Sequence, residues 1–129
     1  VSAKVQSSIK NKSDAEFNEA IEMINKYVKE NKEATIESNS LHYYFKTENY
    51  KVFSEKFQTY LDRTKYGEPD MINSYCWDIY EKVDNNSLIN NACKWMEIST
   101  KSNPEYAYLD TYAALLFKNK KYDDVAYYL

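Results

Sequence analysis

Thiols and imidazole are scarce in this chain: Cys76, Cys93 and His42 are its only cysteines and its only histidine. Cys76 and Cys93 fall on consecutive helical stretches, which would bring them into one neighbourhood, and Cys76 sits at a small packing position opposite Ala92. A buried structural thiol is the first reading of each, and a disulfide between them is the alternative. His42 lies two helices away, so no cysteine–histidine nucleophile is expected. One imidazole cannot hold a metal, and no cluster of Cys, Asp or Glu has zinc-ligand spacing. The carboxylate pairs Asp14 with Glu16 and Asp123 with Asp124 stand at helix starts, where they complement the dipole. No serine lies in a nucleophile-elbow pattern, and the only glycine, Gly67, is too little for a phosphate-cradling loop. Rossmann and P-loop chemistry are therefore excluded. No catalytic set, metal or cofactor is expected, and the chain reads as non-enzymatic.

Charge narrows the partners further. Seventeen basic residues face 20 carboxylates, for a net charge of -3, and Arg63 is the one arginine. Bidentate recognition of phosphate or guanine thus has almost no means, and nucleic-acid binding is not expected. Uninterrupted apolar runs reach only about five residues against the roughly 20 that span a bilayer, so no membrane insertion is expected.

The elements that must position these side chains are helical. Ser13-Asp14-Ala15-Glu16 has the form of a capping box, followed by Phe17, Ala20, Ile21, Ile24, Tyr27 and Val28 at helical spacing. This predicts a helix over 14–30, with the polar residues 1–12 as a connector. Further periodic stretches predict helices over 33–46, 49–64, 69–82, 88–101 and 104–118, and one from about Lys121 onward. Gly67 with Pro69, and later Pro104, mark stops and starts. No strand-like alternation persists, so the fold class is all-α with about seven helices. The chain begins at Val1 without Met, and the final helix is expected to continue beyond Leu129, as in a piece of a larger protein.

Pro69 and Pro104 lie 35 residues apart, and Phe45-Lys46-Thr47-Glu48-Asn49-Tyr50 is echoed 72 residues later by Phe117-Lys118-Asn119-Lys120-Lys121-Tyr122. A period of this size suggests stacked helical hairpins. Here the sequence resembles the tetratricopeptide repeat family, whose unit is a helix-turn-helix. The resemblance is best over Tyr106 to Leu129, with Leu109, Tyr112, Ala113 and Leu116 at the first helix's packing positions and Tyr122, Val125 and Leu129 in the second. It extends to Ile72, Tyr75, Cys76, Ile79, Ala92, Met96 and Ser99, with Pro104 at the closing proline. It implies a right-handed superhelix of antiparallel hairpins over 13–129 and a concave groove for a peptide or protein partner, or for an adjoining domain. The groove positions carried over are His42, Phe45 and Lys46; Asn73, Trp77, Tyr80 and Glu81; and Asp110, Phe117 and Lys118. Thr35, Ser38, Asp70 and Ala114 share that register. Trp77 and Tyr80 are the expected anchors, rigid aromatics with large contact area. Of the family's carboxylate-clamp positions only Asn73 fits, so that clamp is not expected.

The segments around Asn73 to Trp77, Asn91 to Trp95 and Asn103 to Leu116 also resemble the helical region that follows a thioredoxin-like domain in proteins of Bacteroidota. That likeness implies a periplasmic or envelope location. It also implies an accessory role beside a thiol-disulfide centre outside this chain, since no Cys-x-x-Cys occurs here. An architectural or oligomerisation spacer is the other alternative to an interaction module.

Overall fold

The computed structural model describes residues 2–128, with side chains from Ser2 to Lys120. Seven helices and no strand occur among the described residues: α1 (Ser2–Asn11), α2 (Asp14–Tyr27), α3 (Lys32–Lys46), α4 (Tyr50–Thr64), α5 (Pro69–Lys82), α6 (Asn86–Ser102) and α7 (Tyr106–Tyr128). The all-α class and the number seven agree with the sequence reading, yet the helices are not the same seven. Contacts divide the chain into two compact units, Val1–Tyr60 and Leu61–Leu129, where the repeat reading expects one domain over 13–129.

In the first unit the expected connector is helix α1, packed on both α2 and α3. Its inward face is narrow: Val5 and Ser8 are buried and Ile9 half-buried. Ser8 looks polar in sequence, but its hydroxyl donates to the Val5 carbonyl at 2.6 Å, which lets it pass as a small core residue. The capping box of α2 is only half closed on itself. The Ser13 side chain accepts from the Glu16 N–H, whereas the Glu16 carboxylate accepts from Ser7 Oγ at 2.7 Å and Asn11 Nδ2 at 2.9 Å, tying α1 to α2. These bonds hold the Glu16 carboxyl below its usual range.

Phe17 of α2 stacks on Tyr43 of α3 with ring centroids 4.2 Å apart, and Tyr44 meets both rings edge-on. The Tyr43 hydroxyl donates to Asp14 at 2.6 Å, satisfying a phenol whose ring is fully buried. Phe45 packs against Phe53 at 5.1 Å and Phe53 against Phe57 at 5.3 Å, joining α3 to α4.

The second unit is built on α5, α6 and α7, each packed on the other two. Ile72, Cys76 and Ile79 of α5 meet Leu88, Ile89, Ala92, Trp95 and Met96 of α6 in the core. The Asn85 side chain caps α6 by accepting from the Leu88 N–H at 2.9 Å. Two contacts set the alignment of α5 and α7: the Tyr108 hydroxyl donates to the Asp70 carboxylate near both N-termini, and Lys118 Nζ donates to the Tyr80 carbonyl near the end of α5. Each spans 38 residues. The two helices therefore run parallel, held in one register.

Helix α7 departs from the sequence reading in two ways. It is continuous through Tyr128, with no turn at 119–121. In the earlier echo, Glu48 takes a left-handed φ of 62° and the Asn49 side chain caps α4 by accepting from Val52 N–H. The position matching Asn49 is Lys121, which has no acceptor for a cap, and lysine favours helix interiors. The packing register is also displaced. Among its described side chains Tyr108, Thr111 and Leu115 are the buried ones, whereas Leu109 and Leu116 are each 43% exposed and Ala113 is exposed. Tyr122, Val125, Leu129 and the pair Asp123–Asp124, expected in a following helix, have side chains outside the described residues.

Chain reversals succeed almost without glycine. Lys12, Glu48 and Lys65 hold left-handed φ values of 49°, 62° and 55° just past helix ends, where glycine is usual. In each case a 6→1 backbone bond closes the end, from Ser13 N–H to Ser8 O, Asn49 N–H to Tyr44 O and Tyr66 N–H to Leu61 O. Gly67 itself has no positive φ. It is required for space, since a Cβ there would lie 2.8 Å from the Thr64 carbonyl oxygen.

Candidate functional site

Four of the expected groove residues gather between parallel α5 and α7. Trp77 is 39% exposed and packs its ring 5.1 Å from that of Tyr80, one turn further along the same face of α5. Tyr80, Glu81, Phe117 and Lys118 line an open cleft of about 410 Å³. Phe117 is 70% exposed, so its ring stands at the mouth of that cleft. Glu81 and Asp110 are exposed. Asn73, one turn before Trp77, has a buried side-chain oxygen with no hydrogen-bond partner.

Lys118 has a different role from a free groove cation. Its ammonium donates to the carbonyls of Tyr80 and Val83, each at 2.6 Å, and sits 5.8 Å from the centre of the Tyr80 ring. These carbonyls belong to the last turn of α5 and the residue that ends it, where no intrahelical donor remains. Lys118 thus pins α7 to the end of α5 and shapes the cleft wall. Asp70 is similarly committed, as acceptor for Tyr108. That bond, with burial behind it, pushes the Tyr108 phenol up to about 12. What remains open to a partner is aromatic surface beside the Glu81 carboxylate.

The expected groove residues of α3 belong to the first unit. Phe45 is buried against Tyr50 and Phe53, which makes it a core residue and corrects its assignment to the groove. His42 is half-buried, and Lys46 is exposed. Burial, and secondarily the charge of Lys46, lowers the imidazole pKa below its usual value. A cleft of about 380 Å³ that the sequence reading missed lies between α3 and α4, with Ile36 and Ser40 facing Glu55, Lys56 and Thr59. Its only sequence signal is Ile36 and Ser40 one turn apart on α3.

Cys76 and Cys93 are both buried thiols. Burial pushes the Cys76 thiol far above its ordinary range, and its Sγ lies 4.0 Å from the Ala92 carbonyl, so it packs as a small apolar group. Among the described residues no group of His, Cys, Asp and Glu is arranged to hold a metal ion, and no helix is long and apolar enough to cross a membrane. Compared with protein-family models, curated proteins and solved structures, the chain matches none.

Proposed function

We propose that this chain is a helical-repeat interaction module and that the groove between α5 and α7 receives a peptide segment of a partner protein or of an adjoining domain. The observation that carries this reading is a cleft between two parallel helices lined by half-buried Tyr80 and exposed Phe117, with the exposed Trp77 ring packed on Tyr80 beside it. Rigid aromatics gain contact area at low entropic cost and dominate binding where they can be fully desolvated. The constant 38-residue offset between α5 and α7 supports a stacked-hairpin arrangement of the tetratricopeptide kind, in which first helices of successive units lie side by side. Glu81 in the cleft lining favours segments that pair an apolar side chain with a lysine or arginine.

Panning a random-peptide display library against the intact chain tests the reading. Enriched peptides are expected to lose at least tenfold in affinity to Trp77→Ala and to shift amide resonances of α5 and α7. Peptides that bind wild type and Trp77→Ala equally would remove the groove as the binding site.

A further inference from the structure

Two backbone carbonyls at the end of α5 converge on one point. The Tyr80 and Val83 oxygens each accept from Lys118 Nζ at 2.6 Å, and that nitrogen stands 5.8 Å from the centre of the Tyr80 ring. Such a seat has a defined chemistry. Carbonyl oxygens only accept, a helix C-terminus carries partial negative charge, and a ring face attracts a cation. Because one nitrogen serves both oxygens, the seat suits a tetrahedral ammonium better than the flat fork of a guanidinium. It opens on the cleft, which Tyr80 and Lys118 line together with Glu81 and Phe117. Lys118 is half-buried, so its stem can swing into water without opening the core of the second unit.

We infer that this seat is a subsite for a lysine side chain of the partner segment, and that Lys118 fills it in the free chain as an internal competitor. The subsite belongs to the cleft proposed above, and its partner rests on that reading. Two cations cannot share the seat, so an incoming ammonium enters only as Lys118 leaves. The exchange is close to balanced: the newcomer remakes both hydrogen bonds while the Lys118 ammonium regains its water. Glu81 in the same lining draws the newcomer in. The vacant state is a minority of the free chain, and apparent affinity falls by that fraction. For a charged, hydrogen-bonded group of this exposure the handicap is roughly five- to thirtyfold. A segment without a lysine neither meets that handicap nor gains from the seat.

Vacating the seat in the full chain tests this. Lys118→Ala removes the side-chain atoms that n-propylammonium replaces. Propylammonium should raise the Tm of Lys118→Ala by about 2–8 °C in a saturable way, with Kd on the order of 10⁻³ to 10⁻¹ M. Wild type, its seat full, should respond no more than it does to tetramethylammonium at equal ionic strength. Lys118→Met keeps the stem and lacks only the nitrogen, so it should answer to methylammonium and not to propylammonium, and it decides the matter if Lys118→Ala does not fold. Lysine-bearing peptides from the display library should bind the folded variant roughly five- to thirtyfold tighter than wild type, while their norleucine analogues bind both alike. Variants that respond to their amines no more than to tetramethylammonium would overturn the seat. Lysine peptides that bind wild type and variant equally would overturn the competition. Peptides indifferent to Trp77→Ala remove the cleft reading instead, and the amine titrations are independent of it.

Discussion

Replacing Lys118 by methionine separates its structural role from a binding role. Methionine keeps a linear, apolar stem of similar reach and removes only the ammonium with its two 2.6 Å bonds to the carbonyls of Tyr80 and Val83. A hydrogen bond involving a charged group is worth about 1.5–3 kcal/mol, and a cation at a helix C-terminus adds about 0.3–1 kcal/mol. Against this, Lys118 is only half-buried, so water partly replaces the lost donor at both carbonyls. The expected net loss is about 1–2 kcal/mol, equivalent to a fall in Tm of roughly 3–8 °C for a domain of this size. Urea unfolding followed by far-ultraviolet circular dichroism measures it, with Lys94→Met, an exposed lysine of α6, as a control expected to stay within about 0.5 kcal/mol of wild type. If Lys118→Met is as stable as that control, the pin across 38 residues contributes nothing and the argument that aligns α5 with α7 loses its energetic basis.

Further outcomes follow from particular residues. Gly67→Ala should cost about 1–3 kcal/mol in urea unfolding, because its Cβ would sit 2.8 Å from the Thr64 carbonyl oxygen. Glu48→Gly should raise stability by about 0.5–1 kcal/mol, since it relieves a left-handed φ of 62° at a helix end. Tyr108 and Tyr75 are pushed up to about 12, the first mainly by its bond to Asp70 and the second mainly by burial. Their contribution is therefore complete below the unfolded phenol value near 10 and is lost as pH rises to about 12; thermal melts and phenolate absorbance should show that fall together. His42 has a lowered pKa, so its contribution holds above the unfolded value near 6.5 and fades as pH drops through the folded one; His42→Gln should flatten that acid limb. Cys76 and Cys93 are buried thiols and should resist a thiol-specific reagent in the native state yet react at once in denaturant; rapid native labelling of Cys76 would contradict its packing.

Much of the secondary structure was legible because helix punctuation is local. Ser13 and Asn85 cap where short acceptors precede apolar periodicity, and Pro69 opens α5. The misses share a cause. Ser8 is a core residue only because its hydroxyl turns back onto its own helix, so α1 shows too little apolar signal to be told from a connector. The turn expected at 119–121 rested on the echo of 45–50, but the bend there depends on the backbone of Glu48 and the cap from Asn49. Neither is encoded by the shared Phe-Lys and Tyr. A motif of aromatic landmarks can recur without the small polar residue that makes the chain stop.

The groove was partly legible for the opposite reason. Trp77, Tyr80 and Phe117 could be placed because one helical face of α5 and one of α7 follow from spacing alone once the helices are parallel. Phe45 was misplaced because periodicity gives a residue's angle on its own helix but not which neighbour meets that angle, and here Tyr50 and Phe53 do. The same ambiguity displaced the register on α7. Leu109, Ala113 and Leu116 have the spacing of a core stripe, yet Tyr108, Thr111 and Leu115 face the unit's interior. Tyr108 wins the inward place because its phenol finds a carboxylate in Asp70. Thr111 can be buried because its hydroxyl donates to the Ala107 carbonyl. Polar partners, invisible to a hydropathy pattern, thus decided which apolar face of α7 turned inward and which was left exposed.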